Sequence, residues 1–86
     1  MNALLAESAL LQTARAQLRS GALADTERTL AQLQRRFPRG VLGQERDVLR
    51  IELLRARGEH AAAERAVQSF LRSYPESPHA AQLSAP

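Results

Sequence analysis

Few side chains in this sequence of 86 residues could act on a substrate, and none stands in a pattern that chemistry requires. The only histidines, His60 and His79, lie 19 residues apart. Neither falls in H-E-x-x-H or a comparable spacing that would set two metal ligands on one helical face. None of the six serines sits in G-x-S-x-G, the elbow that holds a nucleophilic serine clear of the backbone. The two aspartates, Asp25 and Asp47, fall on different predicted helices and are expected to face solvent. No Gly-rich phosphate loop occurs. Cysteine is absent, which excludes disulfides, thiolate zinc sites and cysteine nucleophiles. The expectation is a protein that is not an enzyme, with no cofactor and no metal.

The elements around these residues are predicted to be helices. Ala (16) and Leu (14) supply about a third of the chain, whereas Val and Ile together number four, too few for a sheet protein. Breakers at Gly21, Pro38-Arg39-Gly40, Gly58 and Pro75–Pro78 separate four stretches of helical length. Gly21 to Gly58 is 37 residues, and so is Pro38 to Pro75. The same offset carries Phe37 onto Tyr74, Leu33 onto Phe70, Leu30 onto Val67 and Thr26 onto Ala63, and six of the eighteen positions from 21 to 38 are identical across it. The chain is therefore read as one domain, 1–86, built from an internal repeat: repeat one over about 3–38, repeat two over about 41–75, and a short capping helix over about 78–84.

Periodicity gives the faces. Positions 23, 26, 30, 33 and 37, and their counterparts 60, 63, 67, 70 and 74, step by three and four along the second helix of each copy. Each stripe ends in an aromatic beside a proline that blocks the next turn. Residues 3–20 carry Ala3, Leu4, Leu10, Leu11, Ala14 and Leu18 in one stripe. Residues 42–57 have two apolar sides, Val48, Ile51 and Leu54 on one and Leu42, Leu49, Leu53 and Ala56 on the other. A helix of that kind needs neighbours on both sides, which predicts an inner helix in a stack of helix pairs. The expected centre of the core is Leu30, Leu33, Phe37, Ile51, Leu54, Val67, Phe70, Leu71 and Tyr74, with His60 partly buried at the start of its helix.

Charge narrows the partner class. All twelve basic residues are Arg; against nine acidic residues they leave a net +3. Arg35, Arg36 and Arg39 bracket Phe37-Pro38. Such a knot can meet phosphate or an anionic membrane, but the simpler reading is cations complementing a helix C-terminus. Glu interleaves with Arg along the chain, and all three aromatics occupy stripe positions, which argues against nucleic acid. The longest apolar runs are three or four residues, and the stripes lack Trp, so direct membrane insertion is not expected.

The pattern of Gly58, Ala63, Val67 and Pro75, and more loosely of Gly21, Thr26, Leu30 and Pro38, resembles the tetratricopeptide repeat, a helix pair of about 34 residues. The period here is longer by about three residues, and Ile51, Leu33 and Phe70 replace small residues of that motif. Those replacements, with Phe70-Leu71-Arg72-Ser73-Tyr74-Pro75-Glu76-Ser77-Pro78-His79-Ala80, resemble the repeats of bacterial envelope proteins of the outer-membrane-assembly lipoprotein and Tol–Pal coordinator types. The resemblance implies an all-α right-handed superhelix of two antiparallel helix pairs. It also implies a non-catalytic scaffold that binds another protein or peptide segment on the concave side of its inner helices. Carried across residue by residue, the groove comprises Ser8, Leu11, Arg15, Leu18 and Arg19 of the first helix and Glu45, Val48, Glu52 and Arg55 of the third, with His79 and Gln82 at the end. Without Lys, and with Asn2 as its only Asn, the chain does not match the acidic-tail clamp of that family. The alternative is a self-association module, forming a homo-oligomer, or a structural domain of a larger envelope or regulatory protein. A cytoplasmic location is expected if the chain is complete as written, and a periplasmic one if it is part of an exported protein.

Overall fold

The computed structural model describes residues 2–84; Met1, Ala85 and Pro86, the outermost positions of the predicted domain, lie outside the described residues. Five α-helices follow in order: α1 (Ala3–Arg19), α2 (Leu23–Arg36), α3 (Gly43–Ala56), α4 (His60–Ser73) and α5 (Ala80–Ser84), and no strand occurs among the described residues. α1 pairs with α2 and α3 with α4, while α3 also lies against α1 and α2, and α5 closes onto α4. The assembly is a slab of 39 × 29 × 18 Å.

The breakers related by the 37-residue offset adopt matching backbone conformations. After α1, Ser20, Gly21 and Ala22 take φ/ψ of −83/0, φ +79 and −80/70; after α3, Arg57, Gly58 and Glu59 take −82/−3, φ +74 and −85/66. Both turns carry the same pair of bonds, Gly21 N to Leu18 O and Ala22 N to Gln17 O in one, Gly58 N to Arg55 O and Glu59 N to Leu54 O in the other. That is the Schellman arrangement, which needs a left-handed residue after the helix and so selects glycine. The second helices end alike too: Phe37 at −134/60 donates to Leu33 O, and Tyr74 at −135/63 to Phe70 O, both at 2.8 Å. Pro38 and Pro75 then prevent a further helical turn.

Packing forms two apolar clusters that meet at α3. Leu11, Ala14, Leu30, Leu33, Leu49 and Leu53 make the first; Val48, Ile51, Val67, Phe70 and Leu83 make the second. The two apolar sides expected of the third helix are thus both covered, one by α1 and α2 and the other by α4 and α5.

Some expectations are corrected at side-chain level. Leu54, expected at the core centre, is half-buried, and its neighbour Leu53 takes the interior place at 1% exposure, since Leu53 faces α1 and α2 within the first cluster. Phe37, Leu71 and Tyr74 pack at the margins of the clusters, half-buried. His60, expected to be partly buried, is exposed: it opens α4 ahead of Ala63, the first buried residue of that helix. The capping helix begins at Ala80 rather than 78, because the Ser77 hydroxyl accepts from His79 N (3.1 Å) and holds the preceding residues in a turn. The α1 stripe also runs further than its cover, leaving Ala3 and Leu4 exposed.

Candidate partner-binding surface

The residues expected to line a groove divide into three groups. Leu11 and Val48 are not available to a partner: at 3% and 7% exposure they belong to the first and second clusters respectively. Leu18 is half-buried against the first cluster. Helical spacing sets 11 and 18 on the side of α1 that meets α2 and α3, so their apolar character serves the core.

A second group is engaged within the chain. Glu45 and His79 meet at 3.5 Å between Glu45 Oε2 and His79 Nε2, an ion pair when the imidazole is protonated. The Arg55 guanidinium donates to Leu83 O at 3.2 Å, placing a cation on a carbonyl near the end of α5. Leu83 itself sits in the second cluster with Val48. The face of α3 that carries 45, 48 and 55 is therefore the seat of the C-terminal segment.

The third group remains at the surface. Arg15 and Arg19 are exposed, Ser8 is half-buried, and the three share one face of α1 at spacings of seven and four residues. Glu52 is half-buried on α3, and Gln82 is exposed on α5. Ser8, Arg15 and Arg19 thus offer two guanidiniums and a neutral donor and acceptor on one face of α1, and Glu52 offers a carboxylate on the α3 face that also carries 45, 48 and 55. Guanidiniums in such a strip can hold carboxylates through paired N–H donors.

One residue of consequence escaped the sequence reading. Glu7 is 4% exposed, and its carboxylate accepts from Leu42 N at 3.1 Å, across 35 residues of chain. Gly40 lies so close to that carboxylate that a Cβ there would collide with it. Two features of the sequence signal this: Glu7 stands at i, i+4, i+7 and i+11 with Leu11, Ala14 and Leu18, inside the buried stripe, and a glycine follows Pro38-Arg39. Copy one is further fastened by Thr29 Oγ1 donating to Gln17 Oε1 at 2.7 Å, a bond between α2 and α1. No buried side-chain nitrogen or oxygen among the described residues lacks a partner.

Elsewhere the aspartates pair with arginines close by in the chain. Asp25 pairs with Arg28 along α2, and Asp47, half-buried rather than exposed as expected, with the adjacent Arg46. Among the described residues no three His, Asp or Glu side chains converge as metal ligands would. A cleft of about 200 Å³ between α3 and α4 is lined by Asp47, Arg50, Ser69 and Ser73 over Phe70 and Tyr74. No helix among the described residues is long and apolar enough to cross a membrane. Compared with family models, curated proteins and solved structures, the chain matches none.

Proposed function

We propose that this domain is a non-catalytic protein–protein interaction scaffold of tetratricopeptide type, which holds a partner segment on the strip formed by Ser8, Arg15, Arg19 and Glu52. The observation that carries the reading is α3. A helix clad on one side by the preceding pair and on the other by its own partner is the building principle of stacked repeats, and such stacks serve as rigid surfaces for extended or helical ligands. The matching turns at Gly21 and Gly58 support the same reading, because each folds the second helix of its pair back after the first in the same backbone conformation. The likeness of the Phe70–Ala80 segment to bacterial envelope repeats favours an envelope setting over a regulatory one.

A photoreactive side chain placed at Arg15 or Glu52, and for contrast at Arg65 on the outward side of α4, tests this in extracts of the source organism. The expected result is one common protein crosslinked from 15 and 52 and absent from 65. Crosslinking only between copies of the chain, together with light scattering that rises with concentration, would instead establish the self-association reading. Equal labelling from all three positions would sink both.

A further inference from the structure

The two ends of the slab differ in how they treat apolar side chains. At the C-terminal end, α5 covers the second cluster through Leu83. At the other end, Leu4 and Leu5 in the first turns of α1 are 47% and 68% exposed, and Val41 in the α2–α3 loop is 75% exposed. Leu4 and Val41 line an open groove of about 400 Å³ with Phe37 and Pro38, and Arg36 and Arg39 stand among its lining residues. That volume lies at the lower end of sites that hold discrete ligands.

Val41 is not exposed for want of structure. The loop that carries it is tied on both sides: Gly40 N donates to Phe37 O at 3.1 Å, and Leu42 N to the buried Glu7 carboxylate at 3.1 Å. A β-branched side chain held in solvent between two fixed neighbours is pre-organised for contact, so little ordering entropy remains to oppose binding. The charge around it has one sign available to a ligand. Arg36 lies over the Phe37 ring at 5.2 Å, and a guanidinium stacked in this way keeps its in-plane donors for a carboxylate. Arg39 is exposed, whereas the one carboxylate of the groove, Glu7, is committed to Leu42 N. One repeat later the counterparts of Arg36 and Arg39 are Ser73 and Glu76, so this basic rim is particular to the first copy.

We infer that the groove between the first turn of α1 and the 37–41 loop docks a segment of another protein that presents an apolar side chain flanked by carboxylates. A second copy of this chain is the poorer occupant, since face-to-face packing would set Arg36 and Arg39 against their own images on molecules already carrying +3. An anionic lipid surface suits the charge, but Phe37, the aromatic of the groove, is half-buried rather than presented for insertion. This surface is separate from the Arg15–Glu52 strip, and either can fail without the other.

Panning a displayed library of random short peptides on the whole chain tests the assignment, followed by fluorescence anisotropy of the enriched peptides. The expected consensus is a Leu, Ile or Phe beside Asp or Glu. Affinity should fall about tenfold or more on Val41→Asp and on Arg39→Glu, weaken with added salt, and stay unchanged on Arg65→Glu. Val41 and Arg39 are solvent-facing, and circular dichroism of each variant confirms that the fold is kept. A consensus without acidic residues overturns the proposal, as does binding lost on Arg15→Glu but not on Val41→Asp, or failure to enrich any peptide. Val41-dependent sedimentation with phosphatidylglycerol vesicles in place of peptide binding overturns it in favour of a membrane.

Discussion

Between the first helix pair, α1/α2, and the second, α3/α4, the backbone at corresponding breakers differs by only a few degrees, while the side chains that fasten the two pairs have little in common. The amide of the residue four after the proline shows this most clearly. In copy one it belongs to Leu42 and is satisfied by Glu7 from another helix; in copy two it belongs to His79 and is satisfied by the Ser77 hydroxyl from two residues away. Ser77 is the counterpart of Gly40, so the residue that makes room for a distant carboxylate in one copy supplies the acceptor itself in the other. Likewise the Gln17–Thr29 bond between α1 and α2 has Leu54 and Ala66 in its place in copy two, where a cleft opens beside Phe70 and Tyr74, whose rings lie 5.0 Å apart. Turn geometry depends on a few local residues and survives duplication. The interior depends on which neighbour lies across it, and so it diverges.

The comparison breaks first at its largest side chains. Phe70→Ala should destabilise the chain by about 3–5 kcal/mol and Leu33→Ala, the matching truncation in copy one, by about 2–5 kcal/mol, both read from urea unfolding. Because the clusters share α3, each variant should lose helix in both copies at one midpoint. Two separate transitions would show that the pairs unfold independently.

Exchanging the two solutions for the same amide sharpens it. Glu7→Ala removes a buried bond to a charged acceptor and should cost about 1.5–3 kcal/mol. Gly40→Ser alone should also destabilise, since its Cβ would meet the Glu7 carboxylate. The double variant Glu7→Ala/Gly40→Ser transplants the copy-two arrangement and should be more stable than Glu7→Ala by about 1 kcal/mol. A double variant that merely sums the two losses would show that the Ser77 bond depends on its own surroundings.

The smallest effect concerns the tie between α2 and the turn after α3. Arg57 donates to Glu27 at 2.9 Å, and this hydrogen bond, followed by the Coulombic attraction of the same guanidinium, holds the Glu27 carboxyl below its usual 4.5 and raises Arg57 above its own. A carboxyl lowered on folding contributes stability above its unfolded value, and that contribution disappears as pH falls through the folded one. Arg57→Gln should therefore leave stability almost unaltered at pH values below the Glu27 transition and reduce it slightly at neutral pH, the difference shrinking with salt. Titration by NMR should place Glu27 of the variant back near the ordinary value.

Much of the architecture was legible because it is punctuated locally. Gly21 and Gly58 demand their turns, Pro38 and Pro75 stop their helices, and the double stripe of residues 42–57 announces two neighbours whatever those neighbours are. Periodicity names a face but not what covers it, which is why 45, 48 and 55 read as an open groove when the segment from His79 to Leu83 sits on them. It also resolves angles coarsely, so Leu53 and Leu54, adjacent on the chain, were both assigned to seams, with the weight placed on Leu54. The acceptor role of Glu7 has no signature of its own in the sequence, because it is set by an amide 35 positions away.

The dual allegiance of α3 has a consequence for motion. Amides from Val48 to Leu53 cannot meet solvent by fraying of either flank, because each flank that departs leaves the other in place. Their hydrogen exchange should report opening of the entire polypeptide, while those of α5, tethered through Leu83 and the Arg55 bond, exchange through a cheaper local release. Two helix pairs are made to stand or fall as a unit by the one helix that contributes to both apolar clusters.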